Sequence, residues 1–282
     1  MSVQAVEHVR PLRGGAQAQL MRADDGHYYV VKFVNNPQGR RVLANEWIAA
    51  RLARALGLPV PPCTQVEVPG ALVDASPGLV IRAGGRIEPC ASGLQFGSRL
   101  PAQDPHTPIY DYLPETQLDQ IVNLADFAGM LCFDKWTCNC NGRQVIYCRP
   151  APRQRLRVHM VDQGFCFNGE DWTFPDSPLR GVYCRNQVYA SITGWLSFEP
   201  WLGHIEAFPP EAIFDAAAEI PPEWYGGAEG WEPLEALLQR LVRRQLRVRE
   251  LVWAVKTSAR APFENWPADS QQDDGQHLGA TA

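Results

Sequence analysis

Residues 133–162, FDKWTCNCNGRQVIYCRPAPRQRLRVHMVD, constrain this chain more than any other stretch. Two β-like runs, VIYC at 145–148 and LRVHMV at 156–161, are joined by a Pro/Arg-rich turn and predict a hairpin. Asp134 opens the stretch, and a short polar loop with Asn139, Asn141, Arg143 and Gln144 precedes the hairpin. The second run ends on Asp162, directly ahead of Gln163 and Gly164. A polar loop, a hairpin and an acid at a strand end can gather oxygen ligands around a hard cation such as Mg²⁺. That arrangement belongs to phosphoryl transfer, and it requires a nucleotide-holding half elsewhere in the chain. Each residue also has a plain structural role: Asp134 can cap or ion-pair, the asparagines can shape turns, and Asp162 can simply end a strand.

The N-terminal part offers such a half. The glycine pair Gly14-Gly15 lies between apolar runs, and the Asp25-Gly26 turn ahead of HYYVVKF (27–33) predicts a β-hairpin. Period-two alternation puts Lys32 on the face opposite Val31 and Phe33. After the loop NNPQG comes RRVLANEWIAARLARALG, whose Leu43, Trp47, Ile48, Leu52, Ala55 and Leu56 recur at helical spacing up to a stop at Gly57. Glu46 sits early in that helix. Glycine permits close backbone approach to phosphates, and a strand lysine steadied by a glutamate from the next helix is the device protein kinases use to hold them. As a bare pattern, the same residues describe any hairpin that happens to carry a lysine.

Composition excludes several alternatives. With 282 residues, 45% hydrophobic, the chain can bury one large core or two modest ones. A net charge of −5 and a pI near 5.7 give no overall basic character, so neither nucleic acid nor an anionic membrane is an expected partner. No run approaches eighteen uninterrupted apolar residues and the first residues lack a signal-peptide core, which predicts a soluble, cytoplasmic protein. The eight cysteines are expected as reduced thiols, mostly buried. Cys138 and Cys140 form a CxC pair, but no second ligand pair at zinc spacing accompanies them. The amphipathic run 232–259 carries Arg240, Arg243, Arg244, Arg247 and Arg249, read as the solvated face of one packing helix rather than an RNA-binding surface.

These patterns divide the chain into a nucleotide-binding lobe (1–88), an irregular linker (89–116), a helical catalytic-like lobe (117–260) and a disordered tail (261–282). The segments DGHYYVVKF, NEWIAARLARALGLPVP, LQFGSRLP and FDKWTCNCNGRQVIY…HMVDQGFCFNG resemble the HipA-like kinase domain, a distant relative of the HipA serine/threonine kinases. The resemblance spans roughly residues 10 to 255. It implies an α+β, two-lobed protein-kinase-like fold with nucleotide in the cleft. It makes Lys32 the phosphate-contacting lysine, Glu46 its partner, and Asp162 the metal-binding acid of a DFG-like turn.

The polar loop departs from that family's pattern of Asn-x-Asp followed by His or Arg, with a metal-binding Asn five residues beyond the Asp. Asn139 matches the first Asn, the base position falls on Asn141, and the second metal ligand falls on Ile146. Asparagine cannot accept a substrate proton as aspartate can, and isoleucine cannot ligate Mg²⁺. Asp134 could supply a carboxylate if the loop bends it inward. The expected function is an ATP- and Mg²⁺-dependent phosphotransferase acting on a protein or small-molecule hydroxyl, with Asn139 and Asn141 positioning acceptor and phosphates. The alternative is a pseudokinase, a nucleotide-responsive or protein-binding module without phosphoryl transfer.

Overall fold

The structure, a computed structural model, describes residues 2–149, 151 and 154–267. In chain order its first half comprises β1 (Ser2–Pro11), β2 (Gln19–Ala23), β3 (Tyr28–Lys32), α1 (Arg41–Ala55), β4 (Cys63–Val68), α2 (Gly70–Ala75), β5 (Val80–Ala83), β6 (Arg86–Pro89) and β7 (Gly93–Arg99). The second half comprises β8 (Ile109–Tyr110), α3 (Asp126–Trp136), β9 (Gln144–Cys148), β10 (Arg157–Val161), α4 (Trp201–Glu206), α5 (Pro210–Ala216), α6 (Pro222–Tyr225), α7 (Trp231–Gln245) and α8 (Val248–Lys256).

Alternation along the first strands sends Ala5, Met21, Ala23, Tyr29, Val31, Val66 and Val68 to one side, where they form a core of their own. The strands close around that core as a barrel in the order β1-β2-β3-β7-β4. Closure depends on a parallel pairing of β1 with β4, from Ser2 opposite Gln65 to Gln4 opposite Glu67. β7 lies inside the stretch read as linker, yet it pairs with both β3 and β4 and so belongs to the barrel. Its Gly97 admits Val66 at a distance where a Cβ would stand 2.4 Å from Cγ2.

The apolar stripe of α1 does not face the barrel core. Leu43, Trp47, Ile48 and Leu52 join the larger core of the helical half, and Trp47 meets Trp224 edge-on at 6.1 Å. α1 therefore welds the two halves together. α3 is buried from Phe127 to Trp136 at the centre of the second half, apolar on all sides up to Phe133 and carrying the buried charges Asp134 and Lys135 in its last turn. At Gly129 the ring of Trp201 comes so close that an added Cβ would lie 2.4 Å from Cδ2. Gly129→Ala is expected to cost about 1–3 kcal/mol through overpacking, read as a lowered melting temperature.

Two sequence expectations are revised here. The single helix expected over 232–259 is two helices, α7 and α8. Leu246, an apolar residue of that amphipathic run, is 76% exposed at the break. At 3.6 residues per turn it lies about 140° round from Leu241, off the buried face. Within the lobe read as helical, residues 186–225 form a series of short helices, two of which start on Pro210 and Pro222 as N1 residues. Of the expected tail, Phe263 and Trp266 are buried against Trp195 and Phe198, and residues 268–282 lie outside the described residues. All eight cysteines are free thiols, five of them buried.

Candidate active site

Three charged side chains from three elements meet between the halves. Lys32 ends β3, Glu46 lies on α1 beneath it, and Asp162 follows the last residue of β10. The Lys32 ammonium donates to Glu46 Oε1 and to Asp162 Oδ1, the latter at 2.6 Å. Lys32 and Glu46 are buried, whereas the Asp162 side chain keeps a quarter of its surface exposed. Burial works against the charge on Lys32, but Glu46 and Asp162 outweigh it and raise its pKa. Burial likewise opposes the Asp162 carboxylate, and Lys32 with Arg143 outweighs it, holding the group below its ordinary value. Burial pushes Glu46 upward against the pull of Lys32.

Asp162 adopts a left-handed backbone conformation (φ +61°), sparsely populated for a non-glycine residue. The turn it starts is fastened to α1. Gly164 N–H donates to Glu46 Oε1 (2.9 Å), and the Asn45 amide donates to the carbonyls of Gly164 (2.8 Å) and Gly169 (2.9 Å). Trp172 Nε1 donates to Asn45 Oδ1 (2.8 Å), and Glu170 accepts the Arg41 backbone N–H at the start of the helix (2.6 Å). The position of Glu46 is thus set by contacts between α1 and the segment that follows Asp162.

The glycine turn stands at the same end of the barrel. β2 pairs with β3 so that Gln19 opposes Val31, which brings the preceding turn to the Lys32 end of β3. Gly14 has φ +131°, and a Cβ at Gly15 would lie 2.4 Å from Gln38 Nε2.

The polar loop splits into an exposed tip and a buried anchor. Asn141 is exposed; its Oδ1 accepts the Gly142 N–H (2.9 Å) and its backbone carbonyl accepts the Gly181 N–H (3.0 Å). Asn139 is 1% exposed, donating to Asp134 Oδ1 (3.0 Å) and accepting the Asn141 N–H (3.1 Å). Both of its polar ends hold the loop together. Asp134 does not bend inward to supply a carboxylate. It is 1% exposed, with Oδ2 accepting Arg143 Nε (2.8 Å) and Oδ1 accepting Arg143 Nη2. Arg143 Nη1 continues the network to Val161 O (3.0 Å) and Gln163 Oε1 (2.5 Å), the neighbours of Asp162 in sequence.

Lys32, Glu46 and Asp162 are therefore assembled, with Gly14-Gly15 at the same barrel end and Asn141 at the loop tip. Asn139 and Asp134 lie beneath the loop. Sequence reasoning gave no role to Asn45, Gln163 or Trp172. A polar Asn45 amid the apolar residues of α1 was the one visible signal. The basic cluster is largely engaged: Arg244 and Arg247 pair with Asp176, Arg249 with Glu206, and Arg240 donates to Trp172 O.

No cluster of three or more His, Cys, Asp or Glu side chains suited to a metal occurs among the described residues. Mg²⁺ in phosphoryl transfer relies on one or two carboxylates plus nucleotide phosphates, so a partly exposed hard oxygen donor such as Asp162 fits it. No helix among the described residues is long and apolar enough to cross a membrane.

Residues 6–145 match the family model described as HipA-like kinase. The fold is similar to the crystal structure of the Helicobacter pylori proinflammatory kinase CtkA (TM-score 0.52, 12% identity, covering 89% of this chain and 99% of that one). It is also similar to the Golgi casein kinase with Mn/ADP bound (TM-score 0.51, 13% identity, covering 92% of this chain and 74% of that one). These likenesses establish the α+β, two-lobed kinase-like fold. No curated protein matches the sequence.

Proposed function

From the premise that residues 6–145 belong to the HipA-like kinase family, we propose that the chain is a cytoplasmic, ATP- and Mg²⁺-dependent phosphotransferase acting on a protein or small-molecule hydroxyl. The observation that carries this reading is the buried Lys32–Glu46 pair hydrogen-bonded to the partly exposed Asp162. Phosphoryl transfer needs positioning and charge neutralisation more than covalent chemistry, and these three groups supply both. Lys32 neutralises the nucleotide phosphates, and Glu46 keeps its ammonium aimed at the cleft. The Gly14-Gly15 turn lets the backbone approach the same phosphates. Asp162 would hold the Mg²⁺, which when bound offsets charge on the phosphates undergoing transfer. Asn141 faces the acceptor from the loop tip and orients it, while Asn139 and Asp134 act one layer below by holding the loop. The Mn/ADP seen in one structural neighbour supports nucleotide and divalent-metal use by this fold.

A second reading, a pseudokinase that binds nucleotide or protein without transfer, is favoured by Asn141 at the base position and Ile146 at the second metal position. Calorimetric titration of ATP with and without Mg²⁺, on wild type and Asp162→Ala, tests the cleft common to both. Mg²⁺-dependent binding that disappears in Asp162→Ala is the expected result. Absence of ATP binding to the wild type would sink the phosphotransferase reading and leave a kinase-shaped scaffold.

A further inference from the structure

Gln144 opens β9, and the register of the small sheet decides what it faces. Ile146 pairs opposite His159, and Gln144 pairs opposite Val161, the residue before Asp162. Directly opposed residues share a face, and alternate residues return to it. Val145, Tyr147, Val158 and Met160 enter the main core, so Gln144, Ile146, His159 and Val161 present the other face. Gln144 is exposed there, next to the strand end that carries Asp162, and its amide helps hold the Asp162 carboxylate below its ordinary value. Its neighbour Arg143 turns the opposite way, is 3% exposed, and holds Val161 O and Gln163 Oε1. Those two bonds bracket Asp162 and fix it relative to Gln144 through the backbone.

We propose that Gln144 is a second side-chain oxygen donor to the divalent cation held by Asp162, an assignment that rests on reading the cleft as a nucleotide–metal site. The other oxygens of the loop are engaged. Both oxygens of Asp134 accept from Arg143, Asn139 Oδ1 accepts from Asn141, and Asn141 Oδ1 accepts from Gly142. Ile146, two residues along the same face, has no donor atom to offer. An amide carries an N–H donor and a hard carbonyl oxygen on one terminal torsion with two broad minima. Without a cation, the N–H group is the end of the amide that favours the Asp162 carboxylate. Half a turn of that torsion presents Oε1 beside the same carboxylate, and hard cations accept amide carbonyl oxygens as well as carboxylates. Gln144 thus suits both the metal-free and the metal-bound cleft.

Mn²⁺ serves as the probe, its binding followed by electron paramagnetic resonance and calorimetry in the presence of ADP. Gln144→Ala is expected to weaken Mn²⁺ binding to the ADP-bound protein at least about tenfold, the lower end of what even outer-shell partners of metal ligands contribute. Gln144→Glu is expected to restore or tighten it, because a carboxylate oxygen takes the place of the amide oxygen. Melting temperatures should match the wild type, since the side chain is exposed. Gln144→Ala binding Mn²⁺ as tightly as wild type, while Asp162→Ala does not, overturns the role of Gln144 and leaves the cleft reading standing. A wild-type protein whose Mn²⁺ affinity is unaffected by ADP overturns both.

Discussion

Asn141→Asp is expected to raise phosphoryl transfer from ATP about 10²–10³-fold, within the range a positioned general base contributes. The rate is read as ADP release and as phosphate incorporated into the protein itself, which requires no knowledge of the acceptor. Several features of the loop make this substitution informative. Asn141 is exposed at the tip, so a charge there stays hydrated. Aspartate retains the oxygen that accepts the Gly142 N–H, and the Gly181 contact uses the backbone carbonyl. The loop geometry therefore survives the exchange, and one carboxylate oxygen remains to receive a hydroxyl proton. Lys32, Glu46 and Asp162 are unaltered, so nucleotide binding should change little.

The two functional readings separate on this result. In the phosphotransferase reading, the wild type turns over slowly because positioning and charge neutralisation act without a base, and restoring the base accelerates a reaction already under way. In the pseudokinase reading, the cleft lacks more than a base. Asn141→Asp would then bind ATP as the wild type does and transfer nothing. An unchanged rate at saturating ATP, with binding intact, would therefore decide for the pseudokinase.

How much of this was legible in the sequence depended on whether the governing interaction was local. Lys32 stands out because Val31 and Phe33 beside it alternate into the barrel core, leaving the lysine on the far face. Glu46 and Asp162 are marked by a helix start and by a strand end before glycine, both short-range signals. The barrel was not legible, because its closure rests on β1 pairing with β4 about sixty residues away and on β7, a strand set in a stretch rich in proline and glycine. The break between α7 and α8 was not legible either, because Leu246 continues the apolar composition of the run whatever its angle about the axis. The greatest loss was Asp134. As a single acid before a polar loop it suits either catalysis or anchoring, and only the guanidinium nine residues later, folded back beneath the loop, distinguishes the two.

That anchor carries the largest stability prediction. Arg143→Met is expected to lower stability by about 3–5 kcal/mol, the usual consequence of leaving one member of a buried ion pair without its partner. For a chain of this size that corresponds to roughly 10 °C in melting temperature. Both partners are essentially inaccessible, with side-chain exposures of 1% and 0%, so the charge left on Asp134 has no route to water. Arg143→Lys should recover little, because a single ammonium cannot reproduce the fork that engages Asp134 twice while reaching Val161 O and Gln163 Oε1. Replacing both residues, as Asp134→Leu with Arg143→Met, should regain only part of the loss: it removes the unpaired charge, but leaves Asn139 Nδ2, Val161 O and Gln163 Oε1 without the partners they had. The same series tests what Asp134 does. If it anchors the loop, Asp134→Ala lowers the melting temperature as Arg143→Met does, and the Asn141→Asp gain persists in whatever fraction remains folded. If it accepted the substrate proton, Asp134→Ala would abolish transfer while Arg143→Met, melting at the same reduced temperature, would retain it. The Arg143 fork occupying both carboxylate oxygens predicts the first outcome, in which stability and turnover fall together for either partner.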